Sequence, residues 1–93
     1  MNNPRSLDFY VIDGLTLELT CYACPEQYDV FDKDNKQVGY LRLRHGRFTV
    51  ESPDVGGTLV YQAHPEGDGV FRDSERQFYL TEAVKAINKH ITH

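Results

Sequence analysis

The chain has no run of about 18 consecutive apolar residues, so it carries no candidate membrane helix. Its first residues, MNNPRSLDFYVIDG, lack the apolar stretch and small-residue cleavage site of a secretory signal. The expectation is a cytoplasmic protein. Basic residues are in the minority, ten Lys and Arg against fourteen Asp and Glu, for a net charge of −4. A general duplex-DNA binder is usually basic, so that class is disfavoured. Cysteine occurs twice, as Cys21 and Cys24 in one C-x-x-C. There is no second C-x-x-C, and a zinc site would have to recruit His45, His64 or a carboxylate from distant sequence. On one extended strand the spacing sends Cys21 and Cys24 to opposite faces, so they meet only if Tyr22-Ala23 turns. A thioredoxin-like motif opens a helix, whereas strand patterns lie on both sides of this one.

Other chemical signatures are missing as well. The histidines are His45, His64, His90 and His93, and none has the H-E-x-x-H spacing of a helical zinc protease. Gly56-Gly57 is not followed by Lys-Ser/Thr, so it is no phosphate loop. The run Asp32-Lys33-Asp34-Asn35 lacks the glycine and closing glutamate of a calcium loop. Nucleophilic sites assemble in space rather than in sequence, and nothing here points to one. The reading is a non-enzyme with no cofactor. A small zinc-binding domain using Cys21 and Cys24 is one alternative to it.

What is present is strand pattern and turn chemistry. Ninety-three residues make one domain with a modest core. Residues 1–6 are polar and make a loose start. Residues 7–12 read as a first strand, with both faces partly covered and Leu7 and Phe9 under a loop or a partner. Asp13-Gly14 then signals a hairpin, because both residues tolerate positive φ. Leu15, Leu17, Leu19 and Cys21 alternate strictly with Thr16, Glu18, Thr20 and Tyr22, which is a half-buried strand. Cys21 is placed as a buried small hydrophobe, and Pro25 ends the region.

Residues 28–50 organise the chain. Residues 28–31 suit a strand, residues 32–36 a polar turn, and residues 38–43 a second strand. If His45-Gly46 is a two-residue loop, counting outward pairs Arg44 with Arg47, Leu43 with Phe48, Arg42 with Thr49 and Leu41 with Val50. Leu41, Leu43, Phe48 and Val50 then share an apolar face. Tyr40, Arg42, Arg44 and Arg47 share the other. Residues 58–63 form a further strand, and Val70-Phe71 a short last one.

The final segment changes period. Ser74 with Gln77 gives a capping box, so the helix is placed at residues 74–91. Leu80, Val84, Ile87 and Ile91, flanked by Ala83, form its apolar stripe. Glu82, Lys85 and Lys89 lie opposite. Phe78 also lies near that opposite face and is expected against the preceding loop. The predicted architecture is α+β: a curved antiparallel sheet of about six strands, built of successive hairpins at residues 7–71, packed on one C-terminal helix.

Residues YDVFDKDNKQVGYL resemble the Y-x-V-x-D-x-x-G-x-x-V strand–turn–strand repeat of tubby-like and LURP-one-like proteins. Asn35 stands where that repeat usually has its turn glycine. The resemblance implies curved strands around a C-terminal helix and brings no lipid-binding residues with it. The chain also resembles short uncharacterised proteins of bacteria and prophages. These share a CPEQYDV-like segment, an LRLRHGRF-like hairpin and an E-R-x-x-Y-L helix start. That resemblance implies a phage-associated accessory protein, acting in the host cytoplasm if phage-encoded, and assigns no activity.

The candidate binding residues are therefore Tyr40, Arg42, Arg44, His45 and Arg47. Between residues 33 and 47 the charges are Lys33, Lys36, Arg42, Arg44 and Arg47 against Asp34 alone. Arginine forks suit the carboxylates of a protein partner. They suit phosphates as well, so a nucleotide or single-stranded nucleic-acid binder is a further alternative. The plain structural explanation is a solvated face whose arginine stems cover apolar surface. Self-association through an exposed sheet edge is a further expectation.

Overall fold

The computed structural model describes residues 9–22 and 25–92, with the side chain of Tyr22 left aside. Six strands precede one helix: β1 (Phe9–Ile12), β2 (Leu15–Tyr22), β3 (Glu26–Phe31), β4 (Gln37–Arg44), β5 (Arg47–Ser52), β6 (Thr58–Ala63) and α1 (Asp73–Ile91). The strands form one open sheet in the order β1-β2-β3-β4-β5-β6, each antiparallel to its neighbours. The α+β reading holds. No helix among the described residues is long and apolar enough to cross a membrane.

The turns explain the meander. Asp13 and Gly14 both take positive φ, 50° and 87°, which matches the twist that joins β1 to β2. At the β3–β4 turn, Asp32 Oδ1 accepts from the N–H groups of Asp34 and Lys36 at 2.9 and 3.0 Å. Asn35 there has φ of 64°, a left-handed position that asparagine tolerates in place of glycine. His45 and Gly46, at φ of 54° and 73°, join β4 to β5. The register is the one counted from the sequence: Arg44 faces Arg47, Leu43 faces Phe48, Arg42 faces Thr49 and Leu41 faces Val50.

One face of the sheet is covered by α1, which packs on β4, β5 and β6. Leu15, Leu17, Val30, Leu41, Leu43, Phe48 and Val50 are buried beneath Leu80, Ala83, Val84 and Ile87. The approach is close. A Cβ at Gly39 on β4 would overlap Ile87 Cδ1, so glycine lets the helix rest on strand backbone. Phe48 anchors an aromatic cluster, with ring centroids 5.0 Å from Phe71 and 6.1 Å from both Tyr61 and Tyr79.

Several expectations are corrected. Val70-Phe71 is not a strand: Phe71 enters the core, Val70 is exposed, and the Phe71 N–H donates to a side chain instead of a ladder. The helix begins at Asp73, with Arg72 at its capping position, and Ser74 is exposed. Glu75, not Gln77, supplies the reaching carboxylate, accepting from the N–H groups of Arg72, Glu66 and Gly67 at 3.0, 2.9 and 2.9 Å. A carboxylate bonds these donors more strongly than the neutral Gln77 amide would, and this anchors the approach loop to the first turn. Phe78 is 58% exposed and packs edge-on against Tyr79 instead of under the loop. Ile91, at the end of the stripe, is also exposed. Leu7 lies outside the described residues, and Phe9 is exposed.

Candidate functional site

The sheet's second face carries no covering element among the described residues. Cross-strand partners share a face, so the register lays this surface out in rows. One row crosses all six strands as Phe9, Glu18, Asp29, Tyr40, Glu51 and Leu59. The next row toward the β4–β5 turn holds Gln27, Arg42, Thr49 and Gln62. Beyond it Arg44 faces Arg47.

Arg42, Arg44, His45, Arg47 and Thr49 together line a shallow depression at this end of the face. The structure thus gathers four of the five predicted residues. Tyr40 is separate from them. It lies in the acidic row, between Asp29 and Glu51. Burial pushes its hydroxyl pKa up, the neighbouring Arg42 pulls it down, and the acids Asp29, Glu51 and Asp54 push it up again. Arg42 is half-buried, whereas Arg44, His45 and Arg47 are exposed. Arg47 donates from Nε and Nη2 to Gln62 Oε1, at 3.1 and 2.9 Å. The ion pairs among the described residues involve Arg72, Arg76 and Lys85, and none involves Arg42, Arg44 or Arg47. Arg42 Nε is buried without a hydrogen-bond partner. The depression therefore gathers three arginines that form no ion pair among the described residues, with the Asp68 carboxylate near Gly46 in the adjoining turn. Below it, the Gly46 N–H donates to the Asp68 carbonyl at 2.6 Å, tying the turn to the loop before α1.

The opposite corner of the same face has the opposite character. Phe9, Thr16, Glu18, Phe31, Asp32, Lys33 and Asn35 line a second depression. Glu18 directly faces Asp29 across β2 and β3. Asp29 is held above the ordinary carboxylate range, first by burial and then by the charges of Asp54 and Glu18, while the Gln37 amide acts against them. Gln37 Nε2 donates to both Asp29 and Asp54, at 3.3 and 3.1 Å.

The C-x-x-C is only half described. Cys21 is half-buried, at the point where the β2–β3 register shifts, rather than in the core. Cys24 lies outside the described residues. Among the described residues no group of three or more His, Cys, Asp or Glu could hold a metal ion. His64 and His90 are exposed, and His93 is outside the described residues.

A buried polar cluster around Glu26 lies outside the residues singled out from the sequence. Glu26 is 2% exposed. Its Oε2 accepts from Tyr28 Oη at 2.5 Å and Arg76 Nε at 2.8 Å. Its Oε1 accepts from the Phe71 N–H at 2.9 Å and Arg76 Nη2 at 3.3 Å. Arg76 also donates to Asp73 Oδ1 and the Phe71 carbonyl, at 2.7 and 3.1 Å. Burial, and then the bond to Glu26, push the Tyr28 pKa far up. The bond to Glu26 holds Arg76 still more firmly charged. Every polar group here is satisfied within the cluster, so its role is to clasp β3 to the helix start. One signal was available. Counting back by twos from Val30 and Tyr28 puts Glu26 on the buried face.

Comparison with protein-family models, with curated proteins and with solved structures gives no match.

Proposed function

We propose that the protein is a non-enzymatic interaction module, and that the Arg42/Arg44/His45/Arg47 depression receives carboxylates of a protein partner. The observation that carries this reading is the concentration of three arginines in one open depression, none of them in an ion pair among the described residues. Arg44 opposite Arg47 is a like-charge pair that repels until an anion sits between them. The shape of the charge favours protein over nucleic acid. The depression has no Phe, Tyr or Trp wall on which a base could stack, since Tyr40 stands in the acidic row, and His45 is its one aromatic ring. A strand of phosphates leaving the depression toward β3 would meet Glu18 and Asp29.

Fluorescence anisotropy with labelled hexaglutamate and labelled oligothymidylate at low salt tests the reading. Hexaglutamate is expected to bind saturably, and Arg42→Ala/Arg44→Ala to weaken it at least about tenfold, near 1.4 kcal/mol. No saturable binding of the peptide refutes the proposal. Tighter binding of the oligonucleotide, with a log–log salt slope of about −0.7 per phosphate contact, gives the site to single strands instead.

A further inference from the structure

The open face has a property that neither depression has alone. It carries opposite charge at opposite corners. The basic depression lies over β4 and β5 near their shared turn. The acidic one lies over β1 to β3 toward the far end of the strands. With strands about 4.8 Å apart and about 3.3 Å per residue, the two centres are offset by roughly 12 Å across the strands and roughly 16 Å along them.

We infer that the partner fitting this face is a second copy of the chain, packed face to face about a two-fold axis. This rests on the reading of the arginine depression given above and names its occupant. A two-fold axis in the plane of contact, perpendicular to the line between the depressions, lays each one on the other copy's opposite. The same pairing is then made twice, as an isologous interface requires. The offset along that diagonal sets the strands of the two sheets roughly at right angles, which is one of the two usual ways sheets pack.

The chemistry matches at both ends. Glu18 opposite Asp29 repels, as Arg44 opposite Arg47 does, and bringing the two pairs together relieves both. Phe9, which is 49% exposed, and the half-buried Phe31 flank Glu18. A guanidinium entering there meets ring faces as well as a carboxylate. Lys33 on the rim reduces the acidic charge but does not cancel Glu18, Asp29 and Asp32 together. The contact is small. Six strands of about six residues offer a flat area of about 500 Å² per copy, at the low end of specific interfaces. The dimer is therefore weak and sensitive to salt.

Sedimentation velocity of the whole chain from about 10 μM to about 1 mM tests this, covering the affinity that so small a contact provides. A monomer–dimer equilibrium is expected at about 20 mM salt, with a dissociation constant at least about tenfold higher at about 500 mM. Arg44→Glu/Arg47→Glu changes only exposed positions and is expected to be monomeric. Glu18→Lys/Asp29→Lys is expected to be monomeric too. Circular dichroism confirms that each is folded, and Glu18→Lys alone replaces the second variant if it is not. Mixing the two reversed proteins is expected to restore a heterodimer, because both contacts again join opposite charges. A wild type that stays monomeric at the highest concentration and lowest salt overturns the inference. So does a dimer that survives Arg44→Glu/Arg47→Glu. Hexaglutamate binding in the same samples separates the two claims: a monomer that binds the peptide removes the second copy and leaves the depression its acidic partner.

Discussion

Replacing Glu26 by glutamine probes the clasp between β3 and the helix. The change keeps the side chain's shape and removes its charge. Each Glu26 oxygen accepts two hydrogen bonds in the native fold. An amide supplies one accepting oxygen and an NH₂ group that cannot accept. Tyr28 can turn its hydroxyl to receive that NH₂, but Arg76 can only donate. Removing one partner of a buried ion pair costs about 3–5 kcal/mol. The Arg76 side chain is 20% exposed, so water compensates part of its charge. That places the loss at the lower end, about 3 kcal/mol. With a urea slope of about 1.5 kcal/mol/M, the unfolding midpoint falls by about 2 M. Urea unfolding at pH 7, followed by circular dichroism, measures it. A double-mutant cycle with Arg76→Met isolates the pair. Arg76→Met is expected to cost about 3 kcal/mol in the native background and under about 1 kcal/mol in the Glu26→Gln background. A Glu26→Gln loss below about 1 kcal/mol, or additive effects in the cycle, refutes the reasoning.

Two carboxylates predict opposite responses to pH. Burial pushes Glu75 up, but the N–H groups of Glu66, Arg72 and Gly67 outweigh it and hold the group below its ordinary value. Its contribution is thus present above the unfolded value of about 4.3 and lost as pH falls through the folded one. Glu75→Gln is expected to lower the melting temperature by about 4–8 °C at pH 7, for a loss near 1 kcal/mol, with the difference shrinking on acidification. A difference independent of pH refutes it. Asp29 is raised, so its favourable state is the protonated one, fully present below about 3.9 and lost as pH rises through the folded value. Asp29→Asn is expected to stabilise the protein by about 0.2–1 kcal/mol at pH 7 in thermal melts, with no gain below about pH 3.9, and destabilisation at pH 7 counts against the like-charge reading.

The hairpins were legible because their turns announce themselves. Asp13-Gly14 and His45-Gly46 supply the positive φ that two-residue loops demand, and strand pairing then follows by counting. The helix stripe was legible for the same kind of reason, since Leu80, Val84 and Ile87 repeat at one period. What escaped depends on residues far apart in sequence. Glu26 meets Arg76 fifty positions later, and no local pattern announces that meeting. The helix starts one residue before the position its sequence pattern gives, because Glu75 binds a loop whose path is set by tertiary contacts. Alternation alone groups Tyr40 with the arginines. Alternation assigns a face, but the row a residue occupies depends on both neighbouring strands, Asp29 on one side and Glu51 on the other.

The strand order also bears on how the chain assembles. Every strand pairs with its neighbour in sequence, so the sheet can grow hairpin by hairpin while closing only short loops. The long-range closures belong to the helix and the segment leading to it. Through Arg76 to Glu26 and Asn88 to Asp13, the last quarter of the chain reaches back to its earlier strands and turns. The sheet is thus the low-contact-order part of the protein. The helix contributes contacts that close the longest stretches of chain, 50 and 75 positions apart.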